Sequence, residues 1–495
     1  MRLAAGEPVL GTQARPFRAT LLDAGVLCAI FAAGLAHLRS PFGGDQFLFL
    51  LGAQKIAHHG VMYRDFWDLK QPAVFYFYAV AGRLFGFTET GVHLFEALYQ
   101  TLFAALLISV CAARFSYRWA ASIVPLLTVG AYYGFASNYA LTSVEAVAGL
   151  PIFIAAMWAA DAFTGPRNAT PKAIAAGAAG AVAAALKFAF LPLVAGLWIA
   201  AFAVSARANA RPPWRSAALV GFGCIAAFML YGTYFAAEGV LGVALRTALI
   251  DPPLILRQLA AADRSPFWPE ARAFGRMVWP LAVLAAVGAW SVRRRADMLA
   301  IEMLVWTVAG CGLIAVQVWS YDYRFYIIVV PIGVLAARGL ETCWTTVRRR
   351  NRRTQFALAF GLAIMAVAAT AAVVRVQVRW QGWQRDNEHA AASSRAFLNR
   401  PSARAGPIYV FGDPRVYYFS GRGQAVAING WSPQLLLPAQ WHLLCEELAA
   451  AAPPYIMVER DYVSRLQRSA EMTAFIARTY SVASSTHDAI WYEHR

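Results

Sequence analysis

Apolar runs close to twenty residues long, broken by short polar stretches, follow one another along the first three quarters of the chain. About eleven of them approach the roughly 20 apolar residues that a helix needs to cross a bilayer. They lie near 19–38, 92–113, 119–135, 141–160, 173–187, 189–206, 216–237, 276–292, 298–319, 323–343 and 355–376. Residues 73–85 are equally apolar but too short to span, and they predict an interfacial helix within a loop. From about 377 the pattern changes, and no run can span. GPIYVFGDPRVYYFSGRGQAVAI and PPYIMVERDYV alternate Val, Ile and Tyr between Gly and Pro, which predicts β-strands. Helix-like stretches such as 440–451 surround them. The expected fold is mainly α, a polytopic transmembrane helix bundle over 1–376 with external loops at 39–91 and 238–275. A small soluble α/β domain is expected over 377–495. No internal repeat is apparent, which weighs against an inverted-repeat transporter.

Composition agrees with the bundle. The 495 residues are 59% hydrophobic and 14% charged, with mean hydropathy +0.48, against about a quarter charged in soluble domains. The net charge of +17 would suggest nucleic acid in a soluble protein. Here the basic residues cluster between apolar runs: Arg15 and Arg18; Arg114 and Arg118; Arg167 and Lys172; Arg207, Arg211 and Arg215; Arg293 to Arg295; Arg348 to Arg353. Every even-numbered connection is basic, the positive-inside pattern. It predicts a multi-pass protein of a bacterial inner membrane, N-terminus cytoplasmic, with both long loops and the tail domain periplasmic. The run 19–38 is long for a signal peptide and reads as an uncleaved first span. Six scattered cysteines without a CxxC indicate neither a metal site nor a disulfide framework.

The chemistry gathers in the first loop, PFGGDQFLFLLGAQKIAHHGVMYRDFWDLKQPAVFYFYAVAGRLFG over 41–86. Acids, bases and aromatics at the mouth of an apolar bundle suit an enzyme acting on a lipid-linked polar headgroup. Transfer from a lipid-phosphate sugar needs a carboxylate to take the acceptor's proton and cations for the departing phosphate. It needs no nucleotide loop, and the chain has none. Asp45, just past the first span, is the candidate base. Asp65 and Asp68 are spaced i, i+3, and Asp68 reads as a cap or a solvated charge. Lys70 and, less strongly, Arg64 are phosphate candidates; Tyr63 and Trp67 would line the substrate. His58 and His59 read as solvated. Glu145 lies within the outer end of a span, where an ionisable residue points to function. Lys187 ends a small-residue helix. Arg324 stands in the aromatic stretch WSYDYRFY with Tyr323.

The order Asp45-Gln46, Tyr63-Arg64-Asp65, Lys70-Gln71-Pro72, Leu84-Phe85-Gly86 resembles the first external loop of C-type (GT-C) membrane glycosyltransferases. It is most similar to the family 39 and 83 branch: protein mannosyltransferases, aminoarabinose transferases and bacterial polyprenyl-phosphate-sugar transferases. That loop typically opens Asp-Glu and closes Lys-Pro-Pro, so this chain departs at Gln46 and Gln71. With Gln46 in place of Glu, a two-carboxylate metal site is not expected there, and a divalent cation is the one cofactor left open. The resemblance implies transfer, with inversion, from a polyprenyl-phosphate sugar to an envelope glycan, lipid or protein, with membrane lipids as the remaining partners and no nucleic acid. It implies Asp45 as base, with Asp65 and Glu145 positioning the acceptor. Lys70, Lys187 and Arg324 would hold the donor phosphate. A flippase of lipid-linked sugars and a non-catalytic envelope assembly protein are the rival readings. Charges concentrated at the outer mouth rather than the midplane disfavour the first.

Overall fold

The computed structural model describes residues 19–165, 169–208, 212–260, 267–292, 297–317, 321–348, 352–357, 360–361, 371, 392–431 and 437–495. The helices begin with α1 (Leu21–Ala36), α2 (Gly44–Ala57), α3 (Ala73–Phe85) and α4 (Glu89–Ala112). Three short ones follow, α5 (Arg118–Ser122), α6 (Val124–Leu127) and α7 (Val129–Phe135). Then come α8 (Val144–Thr164), α9 (Thr170–Leu186), α10 (Leu191–Ala208), α11 (Trp214–Ala237), α12 (Leu241–Leu245) and α13 (Asp251–Ala260). The bundle helices close with α14 (Phe267–Val292), α15 (Met298–Ala315) and α16 (Val329–Val347).

Among the described residues, seven helical segments are long and apolar enough to cross a membrane: Glu89–Ala112, Val144–Thr164, Phe188–Ala208, Trp214–Ala237, Phe267–Ser291, Met298–Ala315 and Asp322–Val347. The runs expected at 19–38 and 173–187 form shorter helices of 16 and 17 residues. The run 119–135 requires a correction, since it is three short helices instead of one span. Pro125 removes a backbone donor there. Thr128, at φ −113° and ψ −83°, turns its hydroxyl back to the Val124 carbonyl at 2.9 Å. The run 355–376 lies largely outside the described residues. The chain is a multi-pass membrane protein of mainly helical fold.

The chain divides into two compact units. The first comprises Met1–Leu38, His93–Gly232 and Ser265–Gln377 and holds most of the long helices. Between helices in lipid there is little hydrophobic drive, so close packing through small residues has to hold them. Gly177 on α9 and Gly223 on α11 show how: a Cβ on either would fall 2.0–2.1 Å from the partner helix's backbone, at the Val220 and Ile174 carbonyl oxygens. Nearby, Ala159, Phe163, Ala173, Ala176 and Ala201 form a core of mostly small side chains. Carboxylate knots tie helix ends together. Asp23 takes Arg118 and Ser122, Asp161 takes Arg114 and Lys172, and Arg338 joins Asp297 to Glu341. Several basic residues read as topogenic are thus also ion-pair partners.

The second unit comprises Arg39–Val92, Thr233–Arg264 and Val378–Arg495. Phe49, Phe66, Phe75 and Tyr78 interlock edge-on and pack α2 on α3. In the tail, four strands form one sheet of order β1-β2-β4-β3. They are β1 (Tyr409–Phe411), β2 (Tyr455–Glu459), β3 (Tyr480–Ser485) and β4 (Ala489–His494). β1 and β2 run parallel; β4 is antiparallel to both β2 and β3. The expected strand regions are shorter than the sequence suggests, because 415–420 and 460–466 turn into helices. The first ends at Gly421, whose φ of +67° favours glycine. A second connection is long-range: the Trp67 N–H donates to the Ala427 carbonyl at 2.8 Å, and Trp67 bridges Ile428 in parallel. First loop and tail thereby share backbone pairing inside one unit.

Candidate active site

Asp45 is the second residue of α2. Its negative charge in the first turn complements the positive end of the helix dipole. Gln46, the departure from the resembled loop, closes that turn by accepting the Gly43 N–H at 2.5 Å. Asp45 Oδ1 receives two donors: Lys70 Nζ at 3.1 Å and the Trp431 indole N–H at 2.9 Å. Lys70 is itself held, since its backbone N–H donates to Asp68 Oδ1 at 2.8 Å. Its ammonium lies 3.9 Å from the same oxygen and 5.6 Å from the centre of the Phe49 ring. Asp68 is buried, and its other oxygen accepts Asn429 Nδ2 at 2.8 Å. That amide also donates to the Trp67 carbonyl at 2.8 Å, while its oxygen accepts the Trp431 backbone N–H at 3.1 Å.

Asp65 and Arg64 form a different group. Asp65 Oδ2 accepts the Val61 N–H at 2.7 Å and Arg64 Nε at 3.3 Å; Arg64 also reaches Glu238 at 3.3 Å. Partial burial would raise the Asp65 carboxyl, but Val61 and Arg64 outweigh it and hold the group below its ordinary value. Tyr63 occupies the left-handed region at φ 71°, buried against Phe235, and burial drives its phenol far up. Trp67 is buried, its indole N–H donating to Thr247 Oγ1 at 3.2 Å.

In the tail, Asp413 and Glu459 approach each other. Glu459 Oε2 accepts the Asp413 N–H at 3.0 Å and Arg415 lies 3.3 Å from Oε1. Burial, then repulsion from Asp413, pushes Glu459 up to about 7 against the pull of Arg415. Burial likewise raises Asp413, opposed by Arg415, and the charge of Asp45 adds to the rise.

The first unit holds the remaining candidates. Glu145 sits in the first turn of α8, behind the N-cap Ser143, whose hydroxyl oxygen accepts the Ala146 N–H at 3.3 Å. The preceding Thr142 is strained at φ 52°. Its N–H is fixed by Glu96 Oε1 at 2.8 Å, an oxygen that also accepts the Tyr132 hydroxyl. Lys187 caps the end of α9 and donates to Glu145 Oε1 at 2.7 Å and Gln317 Oε1 at 3.3 Å. A small hollow of about 20 Å³, room for about one water, is lined by Gln100, Tyr132, Glu145, Tyr326 and apolar neighbours. Arg324 lies 5.4 Å from the centre of the Tyr321 ring, and Tyr321 stacks on Tyr323 at 5.5 Å.

Asp45 and Lys70 therefore meet, as do Glu145 and Lys187, whereas Asp65 pairs with Arg64. Sequence reasoning missed Trp431, Asn429, Asp413 and Glu459. Only a tryptophan in the sequence Asn-Gly-Trp-Ser-Pro and the sequence Gly-Asp-Pro hinted at them. Among the described residues, no three His, Cys, Asp or Glu side chains converge to hold a metal ion.

No family model matches the chain. No curated protein matches it by sequence. Among solved structures, ArnT from Cupriavidus metallidurans bound to undecaprenyl phosphate is similar with a TM-score of 0.58 and 12% identity, over 95% of this chain and 97% of that one. Its apo state is similar at 0.57 and 14% identity, with the same coverage. The archaeal oligosaccharyltransferase AglB from Archaeoglobus fulgidus, in complex with an inhibitory peptide and a dolichol-phosphate, reaches 0.51 at 12% identity, over 96% of this chain and 74% of that one. At such identities the likeness is one of architecture: the fold of this chain is of the GT-C type.

Proposed function

We propose that the protein is a membrane glycosyltransferase that moves a sugar from a polyprenyl-phosphate donor to a nucleophile on an envelope glycan, lipid or protein. The observation that carries this reading is the Asp45–Lys70 pair at 3.1 Å, on the loop after the first apolar helix of a GT-C fold. The solved neighbours with that fold bind undecaprenyl phosphate and dolichol-phosphate. The basic clusters between spans support a bacterial inner membrane with the site and tail on the periplasmic side.

The chemistry is a single displacement. Asp45 accepts the proton of the acceptor hydroxyl as its oxygen bonds to the anomeric carbon. The bond from that carbon to the phosphate oxygen breaks on the opposite face, so the configuration inverts. The electron pair leaves with the lipid phosphate. Its charge is met by Lys70, which exchanges the carboxylate for the phosphate as its partner. Asp68, holding the Lys70 backbone, keeps the ammonium at the site through that exchange. Arg324 with Tyr323 and Tyr321 is a cationic and aromatic surface suited to a phosphate or a sugar. Asp65, held ionised by Val61 and Arg64, suits hydrogen bonding to an acceptor and not proton removal.

Asp45→Asn tests the reading in membranes supplied with radiolabelled polyprenyl-phosphate sugar. Transfer should fall by about 10² to 10⁴ with the protein still folded. Undiminished transfer rejects Asp45 as the base.

A further inference from the structure

The tail supplies two side chains beside the Asp45–Lys70 pair: Trp431 touches Asp45, and Asn429 touches Asp68, which holds the Lys70 backbone. The Trp431 indole N–H ends on Asp45 Oδ1, the oxygen that Lys70 also engages. Three further contacts hold the residue. It stacks on Tyr462 at 6.1 Å, and the Tyr462 hydroxyl donates to the Trp431 carbonyl. It also covers Gly44 so closely that a Cβ there would lie 2.1 Å from Cζ2. No side chain larger than hydrogen fits beneath the indole, so the residue before Asp45 and the ring above it are matched in shape. Asn429 works on the other half of the pair. Its amide holds Asp68 and Trp67, while its oxygen sets the Trp431 backbone.

We propose that Trp431 and Asn429 are positioning residues of the transfer site: Trp431 fixes the rotamer of Asp45, and Asn429 fixes Asp68 and through it Lys70. The tail is thereby a built wall of the reaction centre rather than an appended module. This rests on the glycosyl-transfer reading above. Neither residue has to touch the reacting atoms. A carboxylate with one oxygen pinned by a rigid indole presents its charge to the acceptor in one geometry, and small losses of such geometry are costly in rate. The buried polar groups left behind by removing Asn429 add a second cost.

The test uses the full chain in detergent or nanodiscs. Trp431→Phe keeps the stacked ring and deletes the donor. We expect kcat to fall about 10- to 100-fold, with donor KM and binding of polyprenyl phosphate alone within twofold of wild type. In an Asp45→Asn background the same substitution should cost less than twofold, because a residue acting through Asp45 has nothing left to position. Asn429→Ala should raise donor KM as well as lower kcat, since it acts through Lys70. Trp431→Gln, which restores an N–H without the ring, should regain part of the rate lost in Trp431→Ala.

Unchanged kcat in Trp431→Phe overturns the proposal. So does an equal loss in the wild-type and Asp45→Asn backgrounds, which would mark a role independent of that carboxylate. If Trp431→Phe fails to fold, Tyr462→Phe, which removes the hydroxyl holding the Trp431 carbonyl, gives the same reading: coupling to Asp45→Asn upholds the proposal and additivity sinks it. A wild-type protein that turns over no polyprenyl-phosphate sugar defeats the glycosyl-transfer reading instead. In that event fluorotryptophan at position 431 still reports the contact: its ¹⁹F resonance should move on Asp45→Ala, and an unmoved resonance overturns the proposal on structural grounds.

Discussion

Two lysine–carboxylate pairs, one in each unit, have similar geometry and different surroundings. Lys70 meets Asp45 at 3.1 Å with the two side chains 29% and 27% exposed; Lys187 meets Glu145 at 2.7 Å with Glu145 only 4% exposed. A buried carboxylate depends on its cation, because an uncompensated charge away from water is expensive. A partly solvated pair can separate at little cost, since water takes over what the partner gave. The first pair can thus exchange a protein partner for a substrate, and the second is better suited to holding helices together. Each pair joins a lysine to a carboxylate, and burial is what divides them.

The largest expected effect is on the open pair. Asp45→Asn should remove transfer by about 10² to 10⁴ while leaving the unfolding midpoint near wild type; a large loss of stability instead would make Asp45 a packing residue. Next, Lys187→Met should strand Glu145 and cost about 3 kcal/mol or more, read as a lower unfolding midpoint in detergent. Transfer per folded molecule should drop less than tenfold. A stable Lys187→Met protein with a strongly raised donor KM would break the comparison by making Lys187 a phosphate ligand. Lys70→Met should show the reverse: about 1 kcal/mol or less of stability, with donor KM up roughly tenfold, about 1.4 kcal/mol of binding. Equal stability losses for the two lysine variants would erase the distinction.

A last effect, spread over several pH units and not tied to one substitution, is a pH slope in the tail. The Glu459 carboxyl is raised to about 7 in the folded protein from an ordinary 4.5. Below about 4.5 both folded and unfolded forms keep the proton. Between those values the unfolded chain releases it and the folded chain does not, so stability falls as pH rises towards 7 and levels off above. The slope should amount to no more than about 3 kcal/mol and should shrink in Glu459→Gln. Thermal unfolding from pH 4.5 to 8 checks it, and a slope of opposite sign would mean that Arg415 dominates Glu459.

Local patterning went a long way. The run 73–85 became α3 at the same bounds, and the small-residue helix before Lys187 became α9. The strands at Tyr409–Phe411 and Tyr455–Glu459 arose where Val, Ile and Tyr alternate between Gly and Pro. The misreadings came where local and tertiary signals compete. Thr128 and Pro125 broke an apolar run that hydropathy alone treats as continuous, and Tyr417 and Tyr462, strand-like in composition, lie on short helices that pack on the sheet. Charge gave no warning that Arg118, Arg114 and Arg338 would bind carboxylates at helix ends.

The sequence alone determined that the chain enters a membrane many times and where most of its apolar helices lie, because hydrophobic length and period are properties of neighbouring residues. It also placed acids and bases on the first loop. Only the tertiary structure decided which of them face one another. Asp45 and Trp431 are separated by 386 residues and Asn429 and Asp68 by 361, and no local pattern encodes a hydrogen bond across such a span. Those pairs exist because backbone pairing between Trp67 and the tail, and the bare surface of Gly44, bring the two segments together. Their energies depend on burial, which belongs to the packed chain and not to any residue in it.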